Sequence, residues 1–306
     1  MDDFSTEQLR AVYAERNNWG RWGEDDERGT VNLIDERATL RGVAAARTGK
    51  TISLSRPLRA GGGAVHNPTP VSFMVGTRPH RTPDSGLAYD RIAFECHGYT
   101  LTHIDALCHI WAEDRLWGDR DPSREIASGG SSWGGIEQWK NGIVTRAVLL
   151  DIPALRATPY ADPAEPITGG ELESALQAAG VDLLAGDAVV VYSGREAWED
   201  ATRDSWQSSP PVPRPGLGPS AVPFFRDHDV AALVWDCMDH APDSSGLAWT
   251  AHGMLVYFGL PLIDNASLAV LVSACREASR YDFMLTVAPL DIPGGTGSVV
   301  NPIAIL

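Results

Sequence analysis

Cysteine is scarce in this chain: four in 306 residues, Cys96, Cys108, Cys237 and Cys275, with no two in Cys-x-x-Cys spacing. That excludes a thiolate zinc site or a redox dithiol of that type. Four thiols are also too few for a disulfide scaffold, so a reducing, cytoplasmic setting is expected. Basic charge is short as well. Twenty-five Lys and Arg face 40 Asp and Glu, a formal net charge of −15. A chain of that sign is repelled by a nucleic-acid backbone and by an anionic membrane surface, so neither is an expected partner. No apolar run approaches the roughly 18 residues of a membrane-spanning helix. The opening Met-Asp-Asp-Phe-Ser-Thr-Glu-Gln has no apolar core of the kind a secretory leader carries. Three nucleotide and nucleophile signatures are missing too. There is no Gly-x-Gly-x-x-Gly after a strand, the Gly-Gly-Thr-Gly-Ser of residues 294–298 is not followed by Lys, and Tyr192-Ser193-Gly194 is not a Gly-x-Ser-x-Gly elbow.

What remains is 43% hydrophobic and 21% charged, the balance of a globular protein with a sizeable core. Helical composition at 6–17, 36–47, 169–179, 251–258 and 266–279 mixes with β-like runs at 51–56, 90–97, 142–151, 187–192, 231–236 and 283–288. The runs at 187–192 and 231–236 are continuously apolar, as strands buried on both faces are. This mixture predicts an α/β fold. One domain over 1–306 is expected, with residues 1–50 as a helical N-terminal extension packed on it. The Pro-rich stretch 208–223 and the polar stretch 61–83 read as loops beside a pocket.

The chemistry concentrates in His97-Gly-Tyr-Thr-Leu-Thr-His103-Ile-Asp105-Ala-Leu-Cys-His109, where three of the eight histidines and an aspartate fall within 13 residues. Imidazole and carboxylate together suit Zn²⁺, Mn²⁺ or Fe²⁺. Thr102-x-x-Asp105 fits a capping box, which would put Asp105 and His109 on one helix face. If the segment is extended instead, His103 and Asp105 point the same way. A second segment, Trp249-Thr-Ala-His252 through Asp264, offers His252 at the start of an apolar helix and Asp264 between an apolar run and a further helix. His240 follows a buried strand, a common ligand position in α/β proteins. Trp22 and Tyr99 are candidate pocket walls, and Arg78 a candidate substrate contact. His66, His80 and His228 read as solvent-facing loop histidines.

With these motifs the chain resembles the cyclase family of metal-dependent hydrolases, the group that includes kynurenine formamidase, isatin hydrolase and trans-dienelactone hydrolase. The core of the likeness is His103-Ile-Asp105-Ala-Leu-Cys-His109, similar to the family's His-x-Asp-Ala-x-x-His. Trp22–Asn32, Gly142–Asp151 and Pro289–Pro302 add to it. The resemblance implies a swivelling β/β/α fold, one or two Zn²⁺ or Mn²⁺ ions, and a homodimer or homotetramer. It implies His103 and Asp105 as ligands and His109 as acid/base. His252 matches the family's later histidine ligand, and Asp264 stands where a glutamate ligand is usual. The family's histidine four residues before His-x-Asp is Tyr99 here, and His97 substitutes for it if the turn bulges. The expected activity is hydrolysis of an acyl C–N or C–O bond in a small molecule (a cyclic amide, lactone or aryl formamide) by metal-activated water. The alternatives are a biosynthetic cyclase, lyase or isomerase on the same scaffold, and a metal-free small-molecule binding protein.

Overall fold

The computed structural model describes residues 4–58, 71–202, 213–241 and 246–306. His66 and parts of the two expected loops, 59–70 and 203–212, lie outside them.

The chain opens with α1 (Thr6–Arg16), whose N-cap Ser5 and Gln8 form a capping box, and α2 (Glu36–Ala45), capped by Asp35. A short β1 (Thr51–Ser53) follows. Then comes a hairpin of β2 (Ser72–His80) and β3 (Thr82–Ala93), paired with each other from Ser72↔Ala93 outward. The expected loop at 61–83 is therefore partly strand, and the strand expected at 90–97 ends at Ala93. After β4 (His103–Asp105) and the small elements α3 (Pro122–Glu125), β5 (Ile126–Ala127) and β6 (Gly130–Ser131) comes β7 (Ile143–Asp151). Next in order are α4 (Ile152–Arg156), α5 (Gly169–Ala179), β8 (Ala188–Tyr192), α6 (Arg195–Thr202), β9 (Gly216–Leu217), α7 (Val222–Asp227), β10 (Ala232–Trp235) and β11 (Met238–Asp239). The chain closes with α8 (Gly253–Tyr257), β12 (Leu262–Asp264), α9 (Ala269–Ala278), β13 (Asp282–Val287), β14 (Gly297–Val299) and β15 (Ile303–Ile305).

Nine strands form one mixed sheet in the order β1-β15-β13-β7-β8-β10-β12-β4-β14. Its centre, β7, β8, β10 and β12, is parallel, with antiparallel pairing on both flanks. Every residue of β8 and β10 is buried. That is the expected state of parallel strands covered on both faces, and it explains why those runs carry no polar alternation. Residues near the N-terminus cover the sheet: α2 packs on β7 and β13, and α1 reaches α7 and α8. Gly297 and Ser298 of the Gly-Gly-Thr-Gly-Ser run open β14, and β15 follows, two further sheet strands outside the expected β-like runs. They are three residues each, too short to show a period. Among the described residues no helix is long and apolar enough to cross a membrane.

Candidate active site

The segment from His103 is extended, not helical. In β4, His103 and Asp105 share one face while Ile104, fully buried, faces the core. The register of β4 then brings in the remote segment, because His103 lies opposite Asp264 and Asp105 opposite Leu262. On the other side Asp105 lies opposite Gly297 of β14. That glycine is a spatial necessity. A Cβ there would stand 2.6 Å from Cε1 of His97 and 2.7 Å from the Ile104 carbonyl.

His97 reaches the cluster through a turn with Gly98 at φ +112°. Its Nδ1 lies 2.8 Å from Asp105 Oδ1, and Thr296 Oγ1 is 3.0 Å from its Nε2. Its ring stacks on that of His109 at 3.5 Å between centroids, 8° from parallel. His109 Nε2 is 3.9 Å from Asp105 Oδ1. Tyr99 belongs to neither donor set and lies under the Arg214 guanidinium, 4.6 Å from ring centre to Cζ.

His103 gives its Nδ1–H to the Leu101 carbonyl at 2.8 Å, which turns Nε2 to the carboxylates, 3.3 Å from Asp105 Oδ1 and 3.9 Å from Asp264 Oδ2. His252 stands at the N-terminal edge of α8. Its Nδ1 meets Asp239, which also accepts the Ala251 and His252 backbone N–H groups. This points His252 Nε2 at Asp264 Oδ2, 3.3 Å away, and at Asp105 Oδ2, 3.9 Å away. The other oxygen of Asp264 accepts the Trp235 indole N–H. Two sets of donor atoms therefore converge, His97–Asp105–His109 and His103–Asp105–Asp264, with Asp105 common to both. Its Oδ2 is buried and has no hydrogen-bond donor among the described residues.

The protonation pattern follows from burial and these contacts. Burial would lower His103, but the charges of Asp105 and Asp264 outweigh it and raise the imidazole to about 9. Burial would raise Asp105, yet His109 and His103 hold it well below the usual carboxylate range. His252 is raised against its burial, chiefly by Asp239. His109 goes the other way: burial lowers it to about 4, against the pull of Asp105.

The cluster forms the floor of a cavity of about 610 Å³, walled by Tyr99, Arg214, Met238, His240, Leu247 and Trp249. His240 Nε2 is also 3.0 Å from the Pro163 carbonyl. Two expected substrate contacts stand elsewhere. Trp22 packs against Trp117, 6.3 Å between ring centroids, and does not line the cavity. Arg78 is exposed on the β2–β3 hairpin over Tyr89 and does not line it either. His80 is exposed on the same hairpin, and His228 meets Glu173 at 2.9 Å.

Sequence reading missed Asp239, Trp235, Thr296 and Asn265. Asn265, at φ +55°, donates to the Gly98 and Leu101 carbonyls and accepts from Arg195, which also bonds the Tyr99 carbonyl. It ties the His97–His103 turn to Asp264. Its only signal was its place beside Asp264, since an Asn in the left-handed region is a common local device.

A mixed α/β sheet whose flanking antiparallel strands gather imidazoles and carboxylates under one cavity is the frame of a metal-site protein of small-molecule type. This chain belongs to the cyclase family: the family model described as "Putative cyclase" matches residues 52–242. A crystal structure of a novel cyclase is similar at 29% identity and a TM-score of 0.82, covering 96% of this chain and 99% of that one. An isatin hydrolase bound to the product analogue thioisatinate aligns at 18% identity and a TM-score of 0.59, over 89% of this chain and 99% of that one. Isatin hydrolase A from Labrenzia aggregata, bound to benzyl benzoate, aligns at 17% identity and 0.58, over 83% and 93%. The two isatin hydrolases establish the shared fold. No curated protein matches the chain.

Proposed function

We propose that this chain is a metal-dependent hydrolase that cleaves an acyl C–N or C–O bond in a small molecule such as a cyclic amide, lactone or aryl formamide. One observation carries the reading. Asp105 belongs to both donor sets at the floor of the cavity, and its Oδ2 is buried with no partner among the described residues. A buried carboxylate oxygen without a donor is costly in an ion-free site and is satisfied by a cation. The donor chemistry, nitrogen and carboxylate oxygen with no thiolate, suits Mn²⁺ or Zn²⁺. His103, Asp105, Asp264 and His252 hold one ion. His97 and Asp105 serve a second where two are bound. A bound divalent cation supplies Lewis acidity, polarising a carbonyl and lowering the pKa of water from about 15.7 to about 7.

The chain's own residues do the rest. Asp239 fixes the His252 tautomer so that Nε2 faces the floor. Trp235 holds Asp264 from behind. His109, kept neutral by its burial, accepts the proton of the attacking water at Nε2 and returns it to the leaving nitrogen or oxygen. Tyr99, His240, Met238 and Trp249 wall the substrate. The thioisatinate-bound and benzyl benzoate-bound neighbours are consistent with a compact aromatic substrate on this fold. The family resemblance makes a homodimer or homotetramer the expected assembly, to be read by light scattering.

The test is hydrolysis of lactones, cyclic amides and aryl formamides in ¹⁸O-water by protein purified without chelator. Solvent oxygen in the product, and loss of turnover on chelation with recovery on adding Mn²⁺ or Zn²⁺, are expected. Turnover without solvent oxygen would point to a cyclase, lyase or isomerase. Less than about a tenth of an equivalent of metal, with no recovery, would make it a metal-free binding protein.

A further inference from the structure

Arg214 stands alone among the cavity's charged groups. Among the described residues it is the one Lys or Arg that lines the cavity. The three carboxylates that line it are already engaged: Asp105 by His97, Asp239 by His252, and Asp264 by Trp235 and His252. Other sheltered guanidinium groups meet a carboxylate, as Arg195 meets Glu199 and Arg156 meets Glu171, each at 2.7 Å. Arg214 meets none among the described residues. Its backbone is fixed by pairing with Ala241 at 3.0 Å, and its guanidinium lies over Tyr99 at 4.6 Å. Its Nε–H is closed off from water and has no acceptor among the described residues. An orphaned donor on a charged group is a substantial cost, removed when an acceptor arrives.

We propose that Arg214, laid on the Tyr99 ring, is a carboxylate-recognition residue. The molecule that enters the cavity carries a carboxylate on an apolar, ring-sized body. The planar guanidinium, braced on an aromatic face, matches the two oxygens of a carboxylate in a way that a lysine ammonium does not. Met238, Leu247 and Trp249 supply the apolar wall for the body. Among the described residues the carboxylates that line the cavity face the histidines, which leaves the guanidinium for an acceptor that enters with the ligand. This deepens the hydrolase reading and rests on it for what happens to the bound molecule, but not for the binding itself.

The experiment measures binding of benzoate and of its neutral isostere benzamide, by calorimetry and saturation-transfer NMR. It uses the Mn²⁺-loaded full chain first and the chelator-treated chain second. Benzoate is expected to bind both forms at least tenfold more tightly than benzamide. Arg214→Gln should lose at least tenfold for benzoate and nothing for benzamide. Arg214→Lys, which keeps the charge and the fold, should fall between. Near-ultraviolet circular dichroism checks that Arg214→Gln retains its packing, and the Lys variant carries the test if it does not. Equal affinities for benzoate and benzamide, or an unchanged benzoate affinity in Arg214→Gln, overturn the proposal. So does the absence of saturable benzoate binding up to about 10 mM. So does benzoate binding that appears only with Mn²⁺ and ignores residue 214, since the carboxylate then goes to the ion. If Arg214→Gln loses benzoate while the wild type hydrolyses nothing offered, recognition stands and the hydrolase reading falls.

Discussion

Asp239 touches none of the donor atoms directly assigned to an ion, yet its replacement by Asn should weaken metal binding sharply. Its carboxylate accepts from His252 Nδ1 and from two backbone N–H groups at the entry to α8. Asn keeps the shape, and its carbonyl oxygen still serves the backbone donors. The difference lies at the imidazole. An amide N–H facing Nδ1 demands an acceptor there and moves the ring proton to Nε2, the atom aimed at Asp264 and Asp105. A hydrogen bond to a charged group contributes about 1.5–3 kcal/mol. At about 1.4 kcal/mol per decade that is roughly a 10–100-fold weaker ion, the range usual for the outer partner of a ligating histidine. Competition of Mn²⁺ or Zn²⁺ against a fluorescent chelator reads this directly, and the metal-dependent rise in Tm should shrink with it. An Asp239→Asn protein whose metal Kd stays within about threefold of wild type would refute the reasoning, because His252 would then be no ligand or its orientation would not depend on Asp239.

His109→Ala should cost about 10²–10⁴ in turnover while metal content stays near wild type; loss of the ion as well would make His109 a ligand. Gly297→Ala drives a Cβ into His97 and the Ile104 carbonyl. It should destabilise by about 1–3 kcal/mol, seen as a lowered Tm, and displace the His97 side of the cluster; an unchanged Tm would mean that β14 yields freely. Glu171→Gln removes the half-buried carboxylate that pairs with Arg156 and caps α5. Burial would raise that carboxyl, but Arg156 and Thr168 hold it below its ordinary 4.5. Its contribution is therefore present above 4.5 and lost as pH falls through the folded value. Urea titrations should show the variant less stable at pH 7 by about 1 kcal/mol, after discount for its exposure, and equal to wild type near pH 2. A deficit that persists in acid would assign the loss to packing instead.

The residue pattern alone located the main parallel strands and the helices at Thr6, Glu36, Gly169 and Ala269, because their apolar periods and caps are written over five or more consecutive residues. It also located the histidine segment and named His252 and Asp264, since clustered imidazole and carboxylate are conspicuous in a chain with eight histidines. It left the conformation of Thr102–His109 open, because capping-box chemistry and period-two alternation coexist in the same few letters. Strand pairing decided that question. Once β4 lies between β12 and β14, His103 and Asp105 must share a face, Asp264 must lie opposite His103, and Gly297 must leave its place to His97. No local pattern encodes those neighbours. The same holds for Asp239 behind His252 and for Arg214 over Tyr99, pairs separated by 13 and 115 positions. Residue types and local periods are properties of neighbouring letters, whereas register and partner choice exist only after the sheet has closed.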